Sequence, residues 1–199
     1  MEKIVLASNN PGKVSEIHEL LKDVNLEVVS QSEYDVDSVE ETGLTFIENA
    51  IIKARYAALK TGLPAIADDS GIEVDALNGA PGIYSARFSG EDASDKDNNK
   101  KLLQELNDIP EEKRSARYQC VMVLMRHAAD PTPIIASGSW EGIILEAPRG
   151  SGGFGYDPLF YVPTHQCSAA ELSAELKNKL SHRARALVSL LHKLQEHKL

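Results

Sequence analysis

The chain is short of cysteine, of aromatic residues and of positive charge. Only two cysteines occur among its 199 residues, Cys120 and Cys167, and their spacing fits no metal-binding pattern. A disulfide framework is therefore excluded as the source of stability, and a reduced cytoplasmic interior is the expected setting. The six histidines are scattered and form no HExxH pattern, which argues against a zinc site. No apolar run approaches the roughly 20 residues that cross a bilayer, so no membrane partner is expected. The opening Met1-Glu2-Lys3-Ile4-Val5-Leu6-Ala7 turns polar at Ser8-Asn9-Asn10, too soon for a secretory signal. Lysine and arginine number 21 against 30 acids, a formal charge of −9. Broad binding to a nucleic acid backbone is not expected of such a surface. A small anionic ligand remains compatible, because a few local cations and a divalent ion neutralise it.

What is present is ordinary for a globular domain: 42% hydrophobic and 26% charged residues. That is enough chain for one sizeable core or two packed lobes, and no repeat, low-complexity tract or long linker divides it. Residues 3–7 read as a buried strand. Asn10 then makes a helix N-cap with Pro11 at the first helical position, and Val14, Ile17, Leu20 and Leu21 give that helix its apolar face. Residues 26–29 form a second strand. Thr45-Phe46-Ile47-Glu48 fits a capping box, and the helix after it runs to Gly62, with Pro64 as a stop signal. Residues 65–67 and 72–77 are expected as two strands flanking Asp68-Asp69. A loop covers 78–82, and a polar helix starts near Asp95 and includes 100–106. Residues 117–125 read as a strand. Residues 134–136 and 142–145 read as two more, with a hairpin around Gly138-Ser139. The tail from about Ala169 is helical, with a break near Ser181-His182. The apolar positions of its last part (Leu187, Leu190, Leu191, Leu194) are expected in the core. Strands and helices without strict alternation predict an α/β fold with a mixed sheet.

Some segments are built for chemistry. Ala67-Asp68-Asp69-Ser70-Gly71 sets paired carboxylates and a hydroxyl after an apolar run. That arrangement suits a hard metal ion, and the alternative is a solvated acidic turn. Glu40-Glu41 is a second acidic pair, and its alternative is a charged loop before a helix. Ser8-Asn9-Asn10-Pro11-Gly12-Lys13 lies at a strand-to-helix junction, where free backbone N–H groups favour phosphate and Lys13 adds a full charge. A Walker A loop is excluded, since Ala7 replaces its first glycine and Val14 follows the lysine. In Gly152-Gly153-Phe154-Gly155-Tyr156-Asp157-Pro158 the glycines allow close approach to a ligand. There Phe154 and Tyr156 are suited to stack on a base, and Asp157 to accept a base N–H. Lys177 with Ser181-His182-Arg183 supplies donors for a phosphate or carbonyl oxygen.

These segments, with Thr42-Gly43-Leu44-Thr45-Phe46-Ile47-Glu48-Asn49-Ala50 and Gly79-Ala80-Pro81-Gly82-Ile83-Tyr84-Ser85-Ala86-Arg87, resemble the non-standard purine nucleoside triphosphate pyrophosphatases, the inosine triphosphatase (RdgB-type) family. The motifs stand in family order over nearly the whole chain. The resemblance implies a single domain, 1–199, with a long mixed β-sheet and flanking helices forming two lobes around a central cleft. It implies hydrolysis of inosine, deoxyinosine and xanthosine triphosphates (ITP, dITP, XTP) to the monophosphate and pyrophosphate, with Mg2+ as cofactor and a homodimer as the assembly. By resemblance, Ser8, Asn9, Asn10, Gly12 and Lys13 hold the triphosphate, and Ser70 contacts the substrate. Asp69 is the catalytic acid/base and a metal ligand, helped by Glu40 or Glu41. Phe154, Gly155, Tyr156 and Asp157 hold the base, and Lys177, His182 and Arg183 read its 6-oxo edge or adjoining groups. Leu176 departs from the family pattern, which has an acid there. A related pyrophosphatase for pyrimidine or modified nucleotides, or a nucleotide sensor without turnover, would share the phosphate site.

Overall fold

The architecture is an α/β fold built on a mixed sheet. A computed structural model of the chain describes residues 3–22 and 26–196, so both ends of the expected 1–199 domain lie outside the described residues. Seven strands form one sheet in the order β2-β1-β3-β4-β5-β6-β7. They are β1 (Lys3–Leu6), β2 (Glu27–Ser30), β3 (Ala65–Val74), β4 (Ser115–Met125), β5 (Ile134–Ile144), β6 (Phe160–Val162) and β7 (Cys167–Ser168). The helices are α1 (Pro11–Leu21), α2 (Phe46–Thr61), α3 (Asp95–Glu105), α4 (Ala174–Leu180) and α5 (His182–Glu196). β1 runs parallel to β2 and β3, whereas β5, β6 and β7 pair antiparallel.

The chain divides into two compact units. The first comprises Met1–Asp69, Cys120–Gly138 and Arg183–Leu199. Its central strands, β1 and the start of β3, are buried on both faces, and strand alternation sorts their side chains into two layers. Ile4, Leu6, Ile66, Met122 and Leu124 point to one layer with Ile17 and Leu21 of α1 and Leu187, Leu190 and Leu194 of α5. Val5, Ala7, Ala65, Ala67, Val123 and Met125 point to the other, where α2 presents Ala50, Ala54, Ala57 and Ala58. Small residues on α2 let the helix lie close against the sheet. The second unit comprises Ser70–Gln119 and Ser139–His182, with Ile72, Leu102, Leu106, Tyr118, Trp140, Leu159 and Phe160 in its core.

Local signals set most helix ends. The Asn10 side chain accepts the Lys13 N–H, and Pro11 occupies the first turn. Thr45 accepts the Glu48 N–H, and Gly62 closes α2 in the left-handed conformation, φ 70°. The Glu48 carboxylate completes this cap by taking the Leu44 N–H and the Thr45 hydroxyl. Ser94 and Asp97 form a reciprocal capping box at the start of α3.

Two expectations are corrected. Residues 65–67 and 72–77 are not separate strands around an acidic turn, because β3 runs unbroken from Ala65 to Val74 with both aspartates inside it. Likewise 134–136 and 142–145 join as β5, with no hairpin at Gly138-Ser139. In both cases polar or small residues look like turn punctuation locally, but the strand finds partners for them.

Candidate active site

The two aspartates of β3 lie on opposite faces of the sheet, because successive strand side chains alternate. Asp68, 1% exposed, faces the α1–α5 layer. There its Oδ2 lies 3.2 Å from Lys13 Nζ and 3.5 Å from an Arg183 guanidinium nitrogen. Arg183 is buried at the start of α5 and also ion-pairs with Glu16 of α1. Asp69, 5% exposed, faces α2, and its Oδ1 accepts a hydrogen bond from Lys53 Nζ at 2.8 Å. The same ammonium lies 2.9 Å from Glu41. Asp69 Oδ2 is buried and has no hydrogen-bond partner.

The layers split the acids chemically. Burial pushes the Asp68 carboxyl upward, but Lys13, Arg183 and Lys53 outweigh it and hold it well below the usual carboxylate range. At Asp69 burial prevails over the pull of Lys53 and Lys13, so its pKa is raised above the ordinary 3.8. Burial works against the charged form of Lys53, but Asp69, Asp68 and Glu41 together raise its pKa. The two neighbouring carboxyls are thus driven apart in proton affinity. Asp68 is the permanent counter-ion, and Asp69 is the group suited to exchange a proton.

The loop before α2 delivers Glu41. Asn49, fully buried on α2, accepts the Gly43 N–H at 2.8 Å. Only glycine fits there, since a Cβ on residue 43 would lie 2.6 Å from Glu48 Cβ and 2.7 Å from Asn49 Oδ1. Asn49 and Lys53 are one turn apart on α2, so one face of the helix ties down the loop and also meets its carboxylate. Of the acidic pair, Glu40 is exposed, and Glu41 is the one that reaches Lys53. A hard cation takes oxygen ligands and needs only one or two carboxylates when phosphates complete its shell. Asp69, with an open buried oxygen, and Glu41 fit that requirement. Among the described residues no three His, Cys, Asp or Glu side chains gather as a metal-holding group.

At the other end of this unit's first junction, Ser8 Oγ accepts the Asn10 N–H at 3.3 Å, and Asn10 caps α1. Asn9 is tied to Gln31 and Ser38 by its side-chain amide. Gly12 and Lys13 occupy the first turn of α1, so Lys13 and the helix N-terminus belong to one local surface.

The second unit carries a different group. Asp157, buried, accepts the Phe154 N–H at 2.9 Å, Lys177 Nζ at 2.6 Å and the Tyr118 hydroxyl at 3.2 Å. Lys177 also lies over the Phe154 ring, 4.7 Å from its centroid. Gly153, φ +72°, permits this turn, since a Cβ there would lie 2.0 Å from Asp157 Oδ2. Gly155 is held from α3, with its N–H donated to Asp95 and its carbonyl accepting from Asn99. His182 stacks on Tyr118, ring centroids 4.6 Å apart and 8° between planes.

The structure thus sets Asp69 with Glu41 and Lys53 on one face of β3 and Asp68 with Lys13 and Arg183 on the other, and it gathers Phe154, Gly155, Asp157, Lys177 and His182 in the second unit. Ser70 follows Asp69 on β3 and is half-buried. Two of the expected residues are deeply buried. Tyr156 is 4% exposed, with its ring in the apolar core and its hydroxyl donated to the Ser85 carbonyl, so Phe154 is the aromatic left beside Lys177. Arg183, expected to read the 6-oxo edge or adjoining groups, is buried with Asp68 and Glu16. The Gly79–Arg87 motif (79–87) supplies the support under Tyr156, with Ser85 Oγ donating to the Gly82 carbonyl and accepting the Ile72 N–H.

Lys53, Glu16 and Tyr118 were not singled out by the sequence. Lys53 had a signal: it falls on the helical face shared by Asn49, Ala50, Ala54 and Ala57, where a core residue is the rule. Tyr118 had none, because an aromatic on an alternating strand reads as core.

Comparison with known proteins agrees with the fold. A family model described as the Ham1 family matches residues 4–193. The chain is 62% identical over 196 residues to a Vibrio cholerae protein named dITP/XTP pyrophosphatase, covering 98% of each. It is 60% identical over 195 residues to a protein of the same name from Escherichia coli O157:H7, covering 98% of this chain and 99% of that one. A solved HAM1 protein from Coxiella burnetii superposes with a TM-score of 0.91 at 52% identity, covering 98% of this chain and 100% of that one. The Staphylococcus aureus Ham1 protein gives 0.86 at 43% identity, with both chains fully covered.

Proposed function

We propose, because this chain belongs to the Ham1 family, that it is a nucleoside triphosphate pyrophosphatase that converts dITP, ITP and XTP to the monophosphate and pyrophosphate. Its role is to clear deaminated purines from the nucleotide pool, in the cytoplasm and as a homodimer. The observation that carries the chemistry is the split between Asp68 and Asp69.

Lys13 and the amide groups of the α1 N-terminus hold phosphate oxygens, and Asp68 keeps Lys13 in place. A water oxygen attacks the α-phosphorus, and the bond to the bridging oxygen of the β-phosphate breaks. Pyrophosphate leaves with that electron pair, and Asp69, with its raised pKa, takes the proton from the water. Asp69 and Glu41 would hold a divalent ion, Mg2+ in this reading, which supplies Lewis-acid neutralisation of the phosphates. Lys53 keeps the two carboxylates together.

In this reading, Phe154 stacks on the base, and Lys177 and His182 face its 6-oxo edge. A 6-oxo purine with N1–H offers an acceptor beside a donor, whereas adenine reverses both. A buried donor left facing the amino group costs roughly 1–3 kcal/mol. The test is pyrophosphate release with Mg2+ from dITP, XTP, ATP, GTP and UTP. Release from the first two far above the rest is expected. Release of single phosphates, or UTP outrunning dITP, would overturn the reading.

A further inference from the structure

We propose that Tyr118 is the positioning residue that fixes the base-reading groups, and that it thereby sets the selectivity for 6-oxo purines; this rests on the function proposed above. Asp157 and His182 come from separate stretches of chain, the turn after the glycine loop and the start of α5. Tyr118, on β4, touches both. Its hydroxyl donates to Asp157 Oδ1 at 3.2 Å, and its ring lies parallel to the His182 imidazole at 4.6 Å.

The two contacts do different things. The hydroxyl holds one oxygen of Asp157, so the other stays turned to Lys177 Nζ at 2.6 Å and to the Phe154 N–H at 2.9 Å. The stacked ring fixes the plane of the imidazole and hence the direction of its N–H groups. Tyr118 is itself braced, 7% exposed, with Phe160 tilted against it at 4.6 Å and Trp140 behind at 6.4 Å. Phe160 and Trp140 hold it in place, because both lie in the core of this unit.

Discrimination between a 6-oxo and a 6-amino purine requires a donor that cannot turn away. A site built to hydrogen-bond one pattern rejects the other only while its polar groups are fixed and would be left unpaired. A loosened Lys177 or His182 reorients, and the penalty on adenine disappears. Tyr118 meets no substrate atom in this account, so it alters binding and selectivity rather than the chemical step.

The experiment measures kcat and KM for dITP and dATP in wild type, Tyr118→Phe and Tyr118→Met, with Leu102→Val as a control in the same apolar cluster. Tyr118→Phe removes only the hydroxyl. It is expected to lower the dITP-to-dATP ratio of kcat/KM by about 10-fold, through KM, with kcat for dITP within about 2-fold. Tyr118→Met removes the ring as well and is expected to lower the ratio by about 100-fold. Leu102→Val loosens packing without touching either contact and should leave the ratio as in wild type. An unchanged ratio in both Tyr118 variants, or an equal drop in Leu102→Val, overturns the proposal. If wild type itself fails to prefer dITP, the function proposed above falls, and this inference falls with it.

Discussion

The candidate site residues of the first unit are mostly charged, whereas those of the second are built around rings. Around Asp68 and Asp69 stand Lys13, Lys53, Arg183, Glu16 and Glu41, nearly all in buried or half-buried ion pairs. Around Asp157 stand Tyr118, Phe154 and His182, with Lys177 as a cation reaching its carboxylate. Charge in a low-dielectric layer shifts proton affinities, which suits phosphate and proton transfer. Stacked rings and fixed hydrogen bonds define a plane and a pattern of donors, which suits a heterocycle. Each unit is thus specialised by the kind of side chain its core admits.

That contrast is most sharply tested at Asp69. Asp69→Asn is expected to cut kcat by 10²–10⁴, as for loss of a general base, without changing the dITP-to-dATP preference. A lost preference would show that the units do not divide the work. In wild type the acid limb of kcat/KM should fall above the ordinary aspartate value of 3.8, because burial raises Asp69. The sign for stability follows. A raised folded pKa contributes stability below 3.8 that is lost as pH rises through the folded value.

Asp68 behaves in the opposite way. Its depressed pKa contributes stability above 3.8 that is lost only as pH falls through the folded value, well below the usual carboxylate range. Asp68→Asn takes the buried carboxylate from half-buried Lys13 and leaves Arg183 with Glu16, and it should destabilise the fold by about 3 kcal/mol, measured by denaturant melts at pH 7. A loss under about 1 kcal/mol would mean that solvent reaches this layer.

Gly153→Ala strikes the second unit. Its positive φ and the 2.0 Å approach to Asp157 should raise KM for dITP roughly 5- to 100-fold, the equivalent of 1–3 kcal/mol of strain. kcat should move little, and a fall in kcat alone would contradict the division. The smallest effect belongs to Tyr156→Phe, which removes one hydrogen bond to Ser85 and should cost about 1 kcal/mol of stability with selectivity unchanged. A changed selectivity would return Tyr156 to the base site.

Much of this was legible along the chain. Asn10-Pro11, Thr45 through Glu48 and Gly62 are local signals, and the helix ends obey them. The glycine loop and its neighbouring acid were legible as well, because close backbone approach needs glycine at Gly153. The continuity of β3 was not. Two adjacent acids followed by Ser70-Gly71 look like a turn, and only cations brought from α1, α2 and α5 make a strand through them tolerable. β5 is a similar case: Gly138-Ser139 reads as a turn, but the strand runs on through it from Ile134 to Ile144.

By itself the sequence determined the family, the α/β class, the caps and the residue types that chemistry requires. All of these rest on neighbours in the chain or on motif order. Tertiary structure alone decided which aspartate meets which cation, which acid of Glu40-Glu41 turns inward, and which aromatic of Phe154 and Tyr156 goes into the core. Those outcomes depend on partners distant along the chain, such as Lys53, 16 residues from Asp69, and Arg183, 115 residues from Asp68. Proton affinity and orientation are set by burial and by charges in space, and neither is written in the local order of residues.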